Sequence, residues 1–92
     1  MPQVITNGPV AASIANATAG TAVTANVNCP TNTLLLGGGG RVTTSNGSNL
    51  QRVALQSSLP VDGDTWRATG VVISNLSGGQ TMQVQAYVIC TT

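Results

Sequence analysis

The side chains able to do acid–base, nucleophilic or ligating chemistry form a short set: Arg41, Arg52, Arg67, Asp62, Asp64, Tyr87 and the cysteines Cys29 and Cys90. Histidine, lysine and glutamate are missing from the chain, so no ready general base exists near neutral pH. The two carboxylates share one turn, too close in sequence and too exposed for their environments to be tuned apart as an acid and a base. Serine and threonine hydroxyls abound, but none has an activating partner. These residues predict a protein that is not an enzyme and carries no cofactor. Asp62-Gly63-Asp64 resembles a piece of a calcium loop, yet no further carboxylate exists to complete about six or seven oxygen ligands. A tight turn is the better reading, and no metal site is expected.

Charge is equally sparse. A formal net charge of +1 gives no clustered basic footprint, which argues against nucleic acid as a partner. The chain is nevertheless rich in Val, Thr, Leu and Ala, so it is expected to fold. Its 92 residues fit one domain, and a domain so small buries a modest share of its surface, which makes a cross-link or a partner subunit valuable. The first 20 residues lack a basic start, and Asn7-Gly8-Pro9 interrupts any apolar stretch of the kind an export signal needs. No run approaches the roughly 18 apolar residues that span a bilayer, so no membrane insertion is expected.

The cysteines could be free thiols, metal ligands or a pair, and their strand phase is informative. In Val23-Thr24-Ala25-Asn26-Val27-Asn28-Cys29, Cys29 shares the apolar face with Val23, Ala25 and Val27; between Met82 and Cys90, the second cysteine falls in phase with Met82, Val84, Ala86 and Val88. Both point inward at strand ends and are placed to form a disulfide, worth about 4 kcal/mol for a loop of roughly 60 residues. Two buried inert thiols are the alternative. A bridged pair without a visible export signal suggests either a mature fragment or a protein made in a cytoplasm and oxidised after release, as virion components are at lysis. The Met1-Pro2 start favours the latter.

The elements that must position these residues read as strands. Residues 1–20, rich in Ala, Thr, Asn and Gly, show no sustained period and are expected as an extended N-terminal arm, with a disordered tail as the alternative. Residues 21–92 carry five period-2 segments, which predicts a small antiparallel β-sandwich or barrel. The first runs over about 21–29 and the second over about 34–44, ending at the hairpin signal Ser45-Asn46-Gly47-Ser48. The third covers about 50–59, with Val53, Leu55 and Leu59 on one face. The fourth covers about 65–75, with Trp66, Ala68, Gly70 and Val72 together, and the fifth about 80–90. Leu34-Leu35-Leu36, Val71-Val72-Ile73 and Tyr87-Val88-Ile89 are apolar on both faces, as strands covered on both sides are. Another subunit, or the arm, would cover them, and oligomerisation is favoured.

Gly37 to Gly40 does not open a helix and lacks the Lys and Ser or Thr of a phosphate loop. It is expected as a bulge or crossing where backbone approaches closely or adopts positive φ. Arg41 beside it could grip a carboxylate or sit at an interface. Trp66 could be a sugar platform or a contact residue, although its apolar-side position favours core packing.

The succession Cys29-Pro30, Leu35-Leu36-Gly37-Gly38-Gly39, Ser57-Ser58-Leu59-Pro60, Trp66 and Ala86-Tyr87-Val88-Ile89-Cys90 resembles a disulfide-bonded β module. That module occurs in accessory proteins and fibre ends of tailed-phage virions and in actinobacterial extracellular proteins. The resemblance covers about residues 21–90 and leaves the arm outside. It implies a Cys29–Cys90 bridge and a scaffold or binding role, and brings no catalytic residues. The resulting expectation is a virion structural protein of a tailed bacteriophage, made in the host cytoplasm. It would act as a capsid decoration (cement) or minor tail component that contacts other virion proteins and its own copies. A carbohydrate- or cell-surface-binding adhesin, using Trp66 and Tyr87 on a host glycan, is the alternative.

Overall fold

The computed structural model describes residues 3–45 and 50–92; the turn expected at Asn46-Gly47-Ser48 lies outside them. The described chain is all-β, with strands β1 (Val4–Ala15), β2 (Ala22–Asn28), β3 (Leu34–Thr44), β4 (Val53–Pro60), β5 (Thr65–Val72) and β6 (Thr81–Thr91) and one 3-10 turn at Leu50–Arg52. They form two antiparallel three-stranded sheets, β1-β6-β3 (sheet A) and β2-β5-β4 (sheet B). The sheets pack face to face with β1 over β2, β6 over β5 and β3 over β4.

The period-2 pattern explains the layers. On β6, Met82, Val84, Ala86, Val88 and Cys90 are all fully buried, while the residues between them face outward. On sheet B they meet Ala25, Val27, Ala68 and Val72, each at most 2 % exposed. With no phenylalanine, the fully buried side chains are no larger than methionine, and the molecule is thin. Its principal extents are 50 × 21 × 17 Å and its radius of gyration is 14.5 Å, against about 12 Å for a rounder domain of this length. A slender body has little interior per residue, and here a covalent tie supplements it. Cys29, following β2, is bonded to Cys90 of β6, with a Cα–Cα distance of 6.0 Å and a sequence separation of 61. The bridge joins the two sheets and is itself buried.

Three expectations are corrected. Val4–Ala15, expected within an arm outside the sandwich, is a strand of sheet A, paired antiparallel with β6 from Val4↔Thr91 to Ala15↔Thr81. The register slips between Asn7 and Val10, at the cis Gly8-Pro9 bond. Inward positions therefore run Ile5, Asn7, then Val10, Ala12 and Ile14, and the change of phase conceals the strand's period. The second correction concerns the third predicted strand. It begins in the 3-10 turn, and a slip between Leu55 and Ser57 moves Leu59 to the opposite face from Val53 and Leu55, in register with Arg67. The fourth ends at Val72 rather than near 75.

Candidate interaction surface

The residues singled out from the sequence fall into three places. Cys29 and Cys90 lie inside. Trp66 is half-buried against the core, and its indole Nε1 donates to Ser58 Oγ at 2.8 Å. Arg41 and Tyr87 lie on the outer face of sheet A, separated by one rung, since Arg41 is registered with Gln85 and Gly39 with Tyr87. The structure thus parts the two aromatic residues, with Trp66 turned between the sheets and Tyr87 toward solvent at 40 % exposure.

The glycine run explains how both rings are seated. None of Gly37 to Gly40 has positive φ, so close approach is what requires glycine there. A Cβ on Gly38 would lie 2.6 Å from Trp66 Cδ2, and one on Gly40 would lie 2.6 Å from the Ala68 Cβ. These two glycines face inward and let β3 close down on sheet B. Gly39 faces outward, and a Cβ there would meet the Tyr87 ring, 2.6 Å from Cζ. The phenol therefore leans across β3 and covers a strand segment with no side chains of its own. The bulge expected nearby falls between Leu35 and Gly37.

Toward the disulfide end of the same face, Val4 and Leu34 flank Thr91 from either side, at 67 % and 69 % exposure, and Leu36 in the bulge is 59 % exposed. Of the three segments apolar on both faces, Leu34, Leu36, Ile73 and Tyr87 are exposed. Strand β1 does not cover them, because it lies beside β6 within the sheet. Among the described residues no hydrogen bond or ion pair holds Arg41, whereas Arg67 Nε donates to Asn26 Oδ1 at 3.0 Å and Arg52 Nη1 to the Asn75 carbonyl at 2.9 Å.

The outer face of sheet B is built differently across β2 and β5, while on β4 it leaves Leu59 45 % exposed. The Thr24 and Thr69 hydroxyls hydrogen-bond at 3.2 Å, and Thr65 Oγ1 donates to Asn28 Oδ1 at 2.8 Å. With the Arg67–Asn26 contact, these join β2 to β5 rung by rung. The far end of the sandwich is tied by amide side chains: Asn75 Oδ1 accepts from the Ala19 N–H at 2.7 Å and Asn16 Oδ1 from the Gly79 N–H at 2.9 Å.

At the Asp62-Gly63-Asp64 turn, the Asp62 carboxyl is held below its ordinary range, first by a side-chain hydrogen bond with Asp64 and then by the Asp64 backbone N–H. That N–H donates to Asp62 Oδ1 at 3.1 Å, the geometry of an Asx turn. Among the described residues no group of three or more His, Cys, Asp or Glu gathers, and no pocket opens. The surface therefore offers flat, mostly uncharged faces. What the sequence did not reveal was the pairing of Tyr87 with Gly39, which depends on a register set across 48 residues. No family model, no curated protein and no solved structure matches the chain.

Proposed function

We propose that this chain is a structural subunit of a tailed-phage virion, a capsid decoration or minor tail component made in the host cytoplasm, that acts by contact and not by catalysis. The observation that carries the reading is the outer face of sheet A. Val4, Leu34, Leu36 and Tyr87 are large, apolar or aromatic and exposed on a frame that a buried inter-sheet disulfide holds together. Grouped apolar exposure of this kind marks contact surfaces, and Arg41 without a partner among the described residues suits the polar margin of such a patch. Repeated copies on a symmetric particle would turn modest single contacts into firm attachment.

Support for the adhesin reading narrows to Tyr87, because the Trp66 indole is engaged between the sheets. A phenol resting on Gly39 offers an aromatic surface to a sugar ring. The test purifies infectious particles through a density gradient and identifies their proteins by mass spectrometry, alongside a glycan array probed with the isolated chain. Recovery of the chain with particles and a silent array support the virion reading. Array binding abolished by Tyr87→Ala, with no recovery in particles, replaces it with the adhesin.

A further inference from the structure

A three-stranded sheet has two edges, and each edge leaves every second residue's N–H and C=O without a strand partner. In this sandwich the four edges differ. Strand β1 is interrupted at Gly8-Pro9, where the register slips and the proline offers no N–H. Strand β4 slips between Leu55 and Ser57 and ends in Pro60. Strand β3 is regular from Gly37 onward but carries Arg41 in its middle, a charge that guards an edge. Strand β2 pairs with β5 from Ala22↔Val71 to Asn28↔Thr65 with no register shift, and it holds neither proline nor charge.

Hydrogen bonds at the end of β2 fix which groups point outward. The Cys29 N–H donates toward the β5 side, to the Asp64 carbonyl at 2.6 Å, and the Asn28 carbonyl turns the other way, accepting from Asn7 Nδ2 at 2.8 Å. By alternation, Val23, Ala25 and Val27 bond to β5, and Ala22, Thr24 and Asn26 direct their N–H and C=O to the open edge. All three residues are exposed.

We propose that this edge pairs with the same edge of a second copy, antiparallel about a twofold axis at Thr24. The inference deepens the subunit-contact reading above, and it rests on that reading only in that copies meet one another. In this register Thr24 faces Thr24 of the other copy and Ala22 faces Asn26, so every outward N–H and C=O of the three residues gains a partner. No like charges meet. A self-paired β3 would bring the two Arg41 side chains together, which disfavours that edge. The Thr24–Thr69 hydroxyl contact at 3.2 Å would continue across the axis, and two three-stranded sheets would become one of six strands. Val10 is 42 % exposed although its register with Ala86 places it on the inner side of sheet A. Strand β1 lies over β2, so a copy joined at β2 would shield this open flank. The closed twofold limits assembly to a dimer.

The test is sedimentation equilibrium of the purified chain over a concentration series, with amide hydrogen exchange followed by NMR on the same samples. The expected mass rises from 9.2 kDa toward twice that value, and the amides of Ala22, Thr24 and Asn26 gain protection as concentration rises. Thr24→Lys sets like charges opposite each other, and Thr24→Pro removes an outward N–H without touching the β5 ladder; both should stay monomeric with an unchanged circular dichroism spectrum. Arg41→Thr should associate as the wild type does. A wild-type monomer up to its solubility limit overturns the proposal, as does a dimer that survives both Thr24 variants or a ladder of species beyond the dimer. A chain that stays monomeric yet is recovered with particles removes this inference alone, and a dimer never found with particles removes the virion reading alone.

Discussion

The two outer faces are made from the same kind of strand and differ in what their side chains do. On sheet B, hydroxyl, amide and guanidinium groups satisfy one another across β2 and β5, through Thr24–Thr69, Asn26–Arg67 and Asn28–Thr65. On sheet A, the central rungs hold glycine and a leaning tyrosine, and the disulfide end holds Val4 and Leu34 around Thr91. A polar face that has used its own donors and acceptors has little left to offer a partner. An apolar face lying open keeps its contact free energy available for one. Sidedness in a nearly uncharged protein can thus arise from hydrogen-bond closure across two strands, β2 and β5, even though Leu59 on the neighbouring β4 stays 45 % exposed on that face.

The largest expected effect comes from cutting the tie between the sheets. Replacing both Cys29 and Cys90 by serine should cost about 4 kcal/mol in the chain-entropy picture, read as a lowered urea midpoint. A loss near zero would mean that the two faces hold their relation without the bridge. Next, Gly40→Val forces side-chain atoms against Ala68 and Leu55 and should destabilise by about 1–3 kcal/mol in thermal melts. Gly37→Ala, with open space at its Cβ position, should be tolerated far better. A smaller effect tests the closed face: a Thr24→Val, Thr69→Val double-mutant cycle should give a coupling of roughly 0.2–1 kcal/mol. Zero coupling would remove one rung of the closure argument.

The smallest effect is one of pH. The Asp62 carboxyl is depressed in the folded chain, so its contribution to stability is present above the ordinary carboxylate range and fades as pH falls through the lowered folded value. Carbon-detected NMR titration should show Asp62 retaining its charge to lower pH than a free aspartate, and Asp64→Ala should return it toward the ordinary value.

The sequence foretold those parts of the fold whose phase never slips. Strands β2 and β6 lie within a residue or so of their predicted limits, because Val, Ala and Met alternate there with Thr, Asn and Gln, and β3 has its predicted limits, 34–44, despite the slip between Leu35 and Gly37. The cysteines inherited that phase, which placed them to pair, and the structure joins them. Strand β1 was hidden since its two halves, Ile5 to Asn7 and Val10 to Ile14, are out of step across Gly8-Pro9. Leu59 was misplaced for the same reason, one extra residue near Gln56 reversing every later side chain. That Leu34 and Tyr87 lie on a doubly apolar segment was legible, but whether the arm or another subunit would cover them was not, because that depends on what lies above a face and not on the strand that forms it. The glycine run was legible as a place of close approach, although only the fold shows that Trp66 fills one side of it and Tyr87 the other.

On the proposed virion reading, the sidedness is tested most directly by particle association of two variants, Leu34→Asp on sheet A and Ser57→Asp at a half-buried position on the outer side of sheet B, each compared with the wild type by cosedimentation with purified virions. Leu34 is 69 % exposed, so its replacement should leave stability within about 0.5 kcal/mol while association is lost, and Ser57→Asp should bind as the wild type does. Equal binding by both variants, or loss confined to Ser57→Asp, would contradict the account.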